Sequence, residues 1–154
     1  MLRVTFIRIS LVSLLLITTQ AFSSVDSEKA VHGLRARIQS AKTALRTEKK
    51  LQSRIKNVQE LRSYVAQELE KQRDVQKPDP QDDHYALTLI GLDEDLGTFM
   101  DGTDIEFSDE KCSGYRISLV QSYSGTATGD REPSSLPTHT RDALEFLDLL
   151  CKRS

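Results

Sequence analysis

The clearest structural pattern in the chain lies in residues 27–77, SEKAVHGLRARIQSAKTALRTEKKLQSRIKNVQELRSYVAQELEKQRDVQK. This stretch contains one glycine, Gly33, and no proline, and the residues with the strongest helix propensity dominate it. A helix stops at Lys77-Pro78-Asp79-Pro80, because proline lacks an amide donor and disfavours helical backbone in the residue before it. Residues 25–77 are therefore predicted to form a long, basic, amphipathic helix that resembles one chain of a coiled coil.

Apolar residues fall along this helix in two stripes with heptad-like spacing. The stripes do not share one register, because the phase slips across Thr47–Gln52. Such a slip marks either a seam that shifts around a continuous helix or the bend of a helical hairpin. Since the slip contains no Gly, Pro or Asn, a continuous helix is favoured. The first stripe is Val31, Leu34, Ile38, Ala41 and Leu45, and the second is Leu51, Ile55, Val58, Leu61, Val65 and Leu69.

Charge divides the chain into two halves, although all 154 residues together carry a net charge of only −2. Residues 27–77 hold thirteen basic and six acidic residues, a net charge of +7. Residues 78–154 hold six basic and sixteen acidic residues, a net charge of −10. The basic half is therefore suited to contact an acidic surface.

Three basic residues share one face of the predicted helix. With Val31 at heptad position a, the e positions are Arg35, Lys42 and Lys49. Like charges at such positions oppose pairing of the helix with a copy of itself, so a homo-oligomer is disfavoured though not excluded. We expect these three residues to bind either the acidic C-terminal half of the same chain or a protein partner with an acidic surface.

Residues 1–24 have the pattern of a secretory signal peptide. Arg3 and Arg8 supply a positive start, and an apolar run follows from Ile9 to Ile17. Thr19-Gln20-Ala21 and Ala21-Phe22-Ser23 each place small residues at the −3 and −1 positions that a signal peptidase needs. The apolar run of roughly ten residues is too short to cross a bilayer, which needs about 20. Cleavage and export to the periplasm or the extracellular space are therefore predicted.

Export also determines how the two cysteines, Cys112 and Cys151, are interpreted. Disulfides persist outside the cytoplasm, and a bond between these residues closes a loop of about 40 residues. Buried free thiols, or a metal-binding or catalytic role, are the alternatives. A stabilising disulfide is favoured, because a small domain benefits from such a link.

Residues 84–154 are predicted to form a small acidic α+β domain, joined to the helix by a polar linker at 78–83. Alternating apolar and polar residues suggest a few antiparallel strands. A final helix is expected to begin near Thr138 or Thr140, either of which is a good cap, after a surface loop at 124–137. The fold class is thus predicted as α+β, with a long N-terminal helix and a disulfide-clipped domain. The strand candidates are His84–Ile90, Ile105–Phe107 and Tyr115–Val120.

Motifs for catalysis or cofactor binding are absent: the sequence has no nucleophile elbow, Walker loop, dinucleotide fingerprint or zincin motif. No catalytic residue, metal ligand or cofactor is therefore predicted. Asp82-Asp83-His84 is interpreted as a solvated linker, and the carboxylates of residues 93–110 as a charged edge or a docking face for the basic helix. An irregular calcium site in 93–110 stays open, and a thiolate–imidazole pair of Cys112 with His139 is less favoured than the disulfide.

Three classes of function remain open. The leading hypothesis is an exported, non-enzymatic interaction protein that binds a protein partner through its helical arm and acidic domain. The second is an envelope-associated protein whose basic helix binds anionic lipid or polymer. The third is a small secreted enzyme or toxin that gathers Asp82, His84 or His139 with carboxylates. Nucleic acid is not an expected partner, because the protein is exported and Tyr64 is the only aromatic residue of the helix.

Overall fold

The computed structural model describes residues 8–73, 80–102, 105–124 and 135–152, and within these ranges it contains helices and no strand. The predicted α+β fold class is therefore wrong: the described chain is all-helical. Its five helices are α1 (Arg8–Thr47), α2 (Leu51–Arg73), α3 (Pro80–Met100), α4 (Asp109–Ser124) and α5 (Thr138–Cys151).

The predicted continuous helix is broken between Thr47 and Leu51, and α1 and α2 pack against each other as a hairpin. Side-chain hydrogen bonds supplement the backbone hydrogen bonds on both sides of the break. The Thr47 hydroxyl donates to the carbonyl oxygens of Thr43 and Ala44, at 3.2 and 3.1 Å. The Lys50 amide donates to Oε1 of Glu48, at 2.9 Å. The slip in hydrophobic phase thus marked a bend, which allows both apolar stripes to face one core.

Both stripes enter the hydrophobic core, as their spacing predicted. Val58 and Val65 are fully buried, and Val31 packs against the core from the edge. Leu51 is the exception, because it begins α2 at the turn and is 36% exposed. The buried members of the two stripes are Leu34, Ile38, Leu45, Ile55, Val58, Leu61 and Val65.

The segment predicted as the first strand, residues 84–90, lies within α3. Along α3 as a whole, the most buried large residues are spaced four, three, four and three apart, which is the period of a helix face rather than of a strand. A window of seven residues was too short to separate the two periods. The fully or almost fully buried residues of α3 are Tyr85, Leu89, Leu92, Leu96 and Phe99.

The segment predicted as a later strand, residues 115–120, lies within α4. Leu119 is fully buried whereas Ile117 is 51% exposed, so the two do not share a face as strand alternation required. Ile105–Phe107 is neither helix nor strand. Phe107 instead packs with Phe99 and Tyr115, with ring centroids 6.3–6.4 Å apart.

Helix α5 is the centre of the bundle and packs against each of the other four helices. It begins at Thr138, as predicted, but Pro137 occupies the cap position and no side chain caps the helix. Ala143 and Phe146 are fully buried on its inner face. The predicted disulfide is confirmed, and it joins Cys112 of α4 to Cys151 at the end of α5.

Some predicted features fall wholly or partly outside the described residues. These are residues 1–7 of the signal peptide, residues 74–79 with the helix stop, and residues 125–134 of the loop. Residues 8–24 belong to α1, and residues 80–83 of the predicted linker belong to α3. Among the helices within the described ranges, none combines the length and apolar character needed to cross a bilayer. Export remains a prediction from the sequence.

Candidate functional site

The three residues predicted to form a binding face lie in different environments. Arg35 is exposed on α1, and Lys49 is exposed in the turn between α1 and α2. Lys42 is only 4% exposed, and its Nζ lies 2.7 Å from Oδ1 of Asp142 and 2.5 Å from Oε2 of Glu145, both on α5. The structure therefore does not bring the three together as one surface, and Lys42 holds α1 against the central helix.

The charges of this contact are matched. Burial alone would lower the pKa of Lys42, but hydrogen bonds to Asp142 and Glu145 and their negative charges raise it above its usual value. Burial would raise the pKa of Glu145, but Lys42 and Arg46 lower it. Lys42 and Glu145 are therefore both ionised near neutral pH, and an ion-pair network joins α1 to α5.

A second basic residue, Arg62 of α2, contacts the acidic half of the chain. Its Nε donates to Oδ1 of Asp93 at 2.9 Å, and Nη1 donates to Asp101. The hydrogen bond from Arg62 lowers the pKa of Asp101. The basic helices therefore contact acidic residues of the same chain in the C-terminal half.

The acidic segment 93–110 does not converge on one point. Asp93 and Asp101 face Arg62, whereas Asp95 is buried and faces α5. No group of three or more His, Cys, Asp or Glu residues that could hold a metal ion occurs in the part of the chain that the structure describes. Asp104, and the side chains of residues 82 and 83, lie outside that part. Asp93 and Asp101 therefore serve the contact with α2, and Asp95 serves the contact with α5.

The most buried polar cluster joins α3 to the start of α5. Nδ1 of His139 lies 2.8 Å from Oδ2 of Asp95, and the Thr140 hydroxyl donates to the same oxygen at 2.8 Å. The Tyr123 ring of α4 packs edge-on against His139, with centroids 5.6 Å apart, and burial raises the pKa of the Tyr123 hydroxyl. The less favoured alternative, a thiolate–imidazole pair of Cys112 with His139, does not form, because Cys112 is in the predicted disulfide. This network ties three helices together.

We expect Gly91→Ala to destabilise the protein, because His139 lies directly over Gly91. A Cβ at Gly91 would lie 2.5–2.8 Å from three atoms of the His139 ring, so the ring would have to leave Asp95. The expected loss in the free energy of unfolding is about 1–3 kcal/mol, measured by urea unfolding followed by circular dichroism. Gly114→Ala in α4 is the matched control, because nothing lies within 4 Å of its Cβ. It should gain up to about 1 kcal/mol from better helix propensity. Equal midpoints for the two variants would contradict this account of the site.

The best candidate for a binding site is a pocket at the end of the bundle where the α1–α2 turn meets the C-terminus of α5. We call it the basic pocket, and its volume is about 470 Å³. Basic residues outnumber acidic ones four to one in its wall. It is lined by Leu45, Arg46, Thr47, Glu48, Lys49, Arg54, Leu149 and Lys152.

Arg54 anchors the pocket. Although charged, it is only 6% exposed, and its Nη1 donates to the carbonyl oxygens of Leu149 and Lys152, at 2.6 and 3.0 Å. The last carbonyls of a helix have no partner within the helix, so this guanidinium satisfies two of them. It also fixes a positive charge in a region of restricted solvent, where charge acts more strongly than at an open surface.

The surrounding groups reinforce this positive character. Lys49 and Lys152 are exposed at the pocket, and Arg46, which also pairs with Glu145, lies between α1 and α5. The first turn of α2 contains no acidic residue, although the Glu48 carboxylate just before it accepts the Lys50 amide hydrogen and offsets part of the helix dipole. The pocket is therefore suited to hold an anionic group.

Sequence reasoning found one residue of this pocket, Lys49, and missed the others. Arg54 has a recognisable signal, because it precedes the core residue Leu61 by one heptad and so lies on the buried side of α2. The sequence around Lys152 did not predict its place in the pocket, because 98 residues separate it from Arg54.

No protein-family model, curated protein sequence or solved structure matches the chain.

Proposed function

We propose that this chain is an exported, non-enzymatic binding protein that recognises an anionic group of a protein partner in the basic pocket. The observation that carries the proposal is the set of four basic residues around a concave site, one of them, Arg54, buried and fixed by helix carbonyls. Export rests on the signal-peptide pattern of residues 1–24.

The distribution of basic residues on α2 favours a local site over a broad anionic surface such as a membrane or polymer. Exposed bases of α2 pair with acids on the same helix, which reduces their net field. Binding of anionic lipid would instead favour a continuous basic face. The pairs are Lys56 with Glu60, Lys71 with Glu68, and Arg73 with Glu70.

An enzymatic function is less well supported, because the histidines considered for a catalytic site lie apart from each other. His84 is exposed on α3, whereas His139 contacts α3 near Gly91 and Asp95. Seven residues of helix between 84 and 91 correspond to about 10 Å. His139 and Thr140 bond to the same carboxylate oxygen, an arrangement that favours a structural role.

The proposal predicts that charge at the basic pocket controls binding of acidic peptide. The full chain, labelled with ¹⁵N, is titrated with the acetylated and amidated tetrapeptide Asp-Glu-Asp-Glu while amide shifts are followed by NMR. Shifts are expected at residues 45–54 and 149–152, and the affinity should fall with added salt. Lys49→Glu with Lys152→Glu should weaken binding by about tenfold or more.

The control reverses two exposed bases outside the pocket, Lys56→Glu with Lys71→Glu, which changes the net charge by the same amount. It should retain most of the affinity. Equal loss in both double variants would mean that overall charge governs the interaction and that the basic pocket is not the site. Tight binding to anionic vesicles, unaffected by the pocket variants, would favour the lipid hypothesis instead.

A further inference from the structure

We infer that the basic pocket binds the C-terminal residue of a protein partner, through a free α-carboxylate and an apolar side chain. This inference rests on the proposed function, which it narrows from an anionic group in general to a chain end. Three features of the pocket wall support the inference: its apolar surface, its arrangement of charge, and its hydrogen-bond acceptors.

The first feature is that the pocket has enough volume beside apolar side chains to hold an apolar part of a ligand. The pocket volume of about 470 Å³ lies within the range of roughly 300–1,000 Å³ that is usual for ligand sites. Leu45 and Leu149 line it, and the aliphatic stems of lysine and arginine add further apolar surface. A small inorganic ion would leave this space to water. A ligand that joins an anion to an aliphatic group uses both the charge and the apolar wall.

The second feature is the position of charge. Arg54 fixes one charge beside the last turn of α5, and Lys49 and Lys152 are exposed in the same wall. Basic residues recognise carboxylates through charge-assisted hydrogen bonds. Glu48 in the same wall adds a negative charge, which disfavours a dianion such as phosphate more than a monoanionic carboxylate.

The third feature distinguishes a peptide from a fatty acid. The Glu48 carboxylate accepts the Lys50 amide hydrogen through Oε1, and a carboxylate has two oxygens with several acceptor positions. The Thr47 hydroxyl oxygen is a further acceptor in the wall. A peptide chain end presents backbone N–H donors next to its carboxylate, whereas a fatty acid has none. The wall thus complements the amide, the carboxylate and the side chain of one terminal residue.

The test uses the full chain and four probes, with ¹⁵N amide shifts as the readout. The reference probe is acetyl-Gly-Ala-Leu with a free carboxylate. The other probes are the same peptide with a C-terminal amide, acetyl-Gly-Ala-Gly with a free carboxylate, and hexanoate. We expect the reference probe to bind at least fivefold more tightly than each of the others. Its shifts should be confined to residues 45–54 and 149–152, and Lys49→Met with Lys152→Met should abolish them.

Each alternative outcome has a separate meaning. Equal binding of the amidated peptide would show that the carboxylate is not recognised, and equal binding of acetyl-Gly-Ala-Gly would show that the apolar side chain is not recognised. Either result overturns this inference, and the second leaves the proposed function in place. Tighter binding of hexanoate would assign the pocket to acyl chains. If none of these probes and no acidic peptide shifts the pocket residues, both the inference and the proposed function fail.

Discussion

Replacing Cys112 and Cys151 with serine is expected to lower the free energy of unfolding by about 4 kcal/mol. The disulfide spans 39 residues of sequence and joins α4 to the end of the central helix. Without this link the unfolded chain gains the freedom of an open loop, which lowers its free energy relative to the native state. Both cysteines are only half-buried, so serine fits at either position without a large loss of packing.

Urea unfolding of the oxidised wild type, the two single variants and the double variant measures this effect. Each single variant should lose as much stability as the double variant, because the same link is removed in all three. Reduced wild type should match them. The dependence of the unfolding free energy on urea should steepen, since an unlinked unfolded chain exposes more surface.

Two results would contradict this explanation. Oxidised wild type and the double variant with equal midpoints would show that the disulfide contributes nothing to stability. Single variants whose losses add in the double variant would assign the effect to native packing at each cysteine rather than to the link. A control at the neighbouring exposed Ser113, as Ser113→Ala, should leave the midpoint almost unchanged.

How much of the fold could be predicted depended on the length of each periodic segment. The apolar stripes of residues 31–69 extend over many turns, and they identified most of the core of α1 and α2 correctly. The phase slip located the bend, but the lack of a helix-breaking residue favoured a continuous helix. The bend forms because burial of both stripes against the C-terminal helices outweighs local helix propensity.

The error in the C-terminal half has a similar origin. Tyr115, Ile117 and Leu119 alternate over five residues, which predicts a strand, but Tyr115 and Leu119 are also one helical turn apart. In the structure those two pack inward and Ile117 faces outward, so the helical period is the relevant one. In α3, two glycines obscured the helical pattern of buried residues. At one of them, Gly91, the His139 ring takes up the space of a side chain.

The candidate site was only partly predictable, because its residues come from opposite ends of the sequence. Lys42 was expected to face a partner, but it lies four residues after Ile38 and three before Leu45, both of which are buried. That spacing places it beside the core, where α5 supplies its acidic partners. The periodicity of one helix predicts on which side each residue lies, but it does not predict which other helix packs against that side.

Lys42→Ala is expected to lower the free energy of unfolding by about 3 kcal/mol, because it leaves Asp142 and Glu145 without their buried cation. The Asp142 side chain is 17% exposed and that of Glu145 is 36% exposed, so water screens part of the cost. The alanine also removes the aliphatic stem and the approach of Nζ to the Phe146 ring, at 5.9 Å from its centroid. Lys42→Met keeps most of the stem, so the difference between the two variants measures the packing component.

The pH dependence separates the ion pair from packing. The folded-state pKa of Glu145 is lowered below its ordinary value of 4.5, so its contribution is present above that pH and is lost as the pH falls through the folded-state pKa. The pKa of Lys42 is raised above 10.5, so its contribution is present below pH 10.5 and is lost as the pH rises through the folded-state value. The deficit of Lys42→Met should therefore be largest between about pH 5 and 10 and shrink in acid. A deficit that stays constant down to pH 3 would assign it to packing alone. Lys56→Ala, whose side chain is 75% exposed, should show no comparable deficit at any pH.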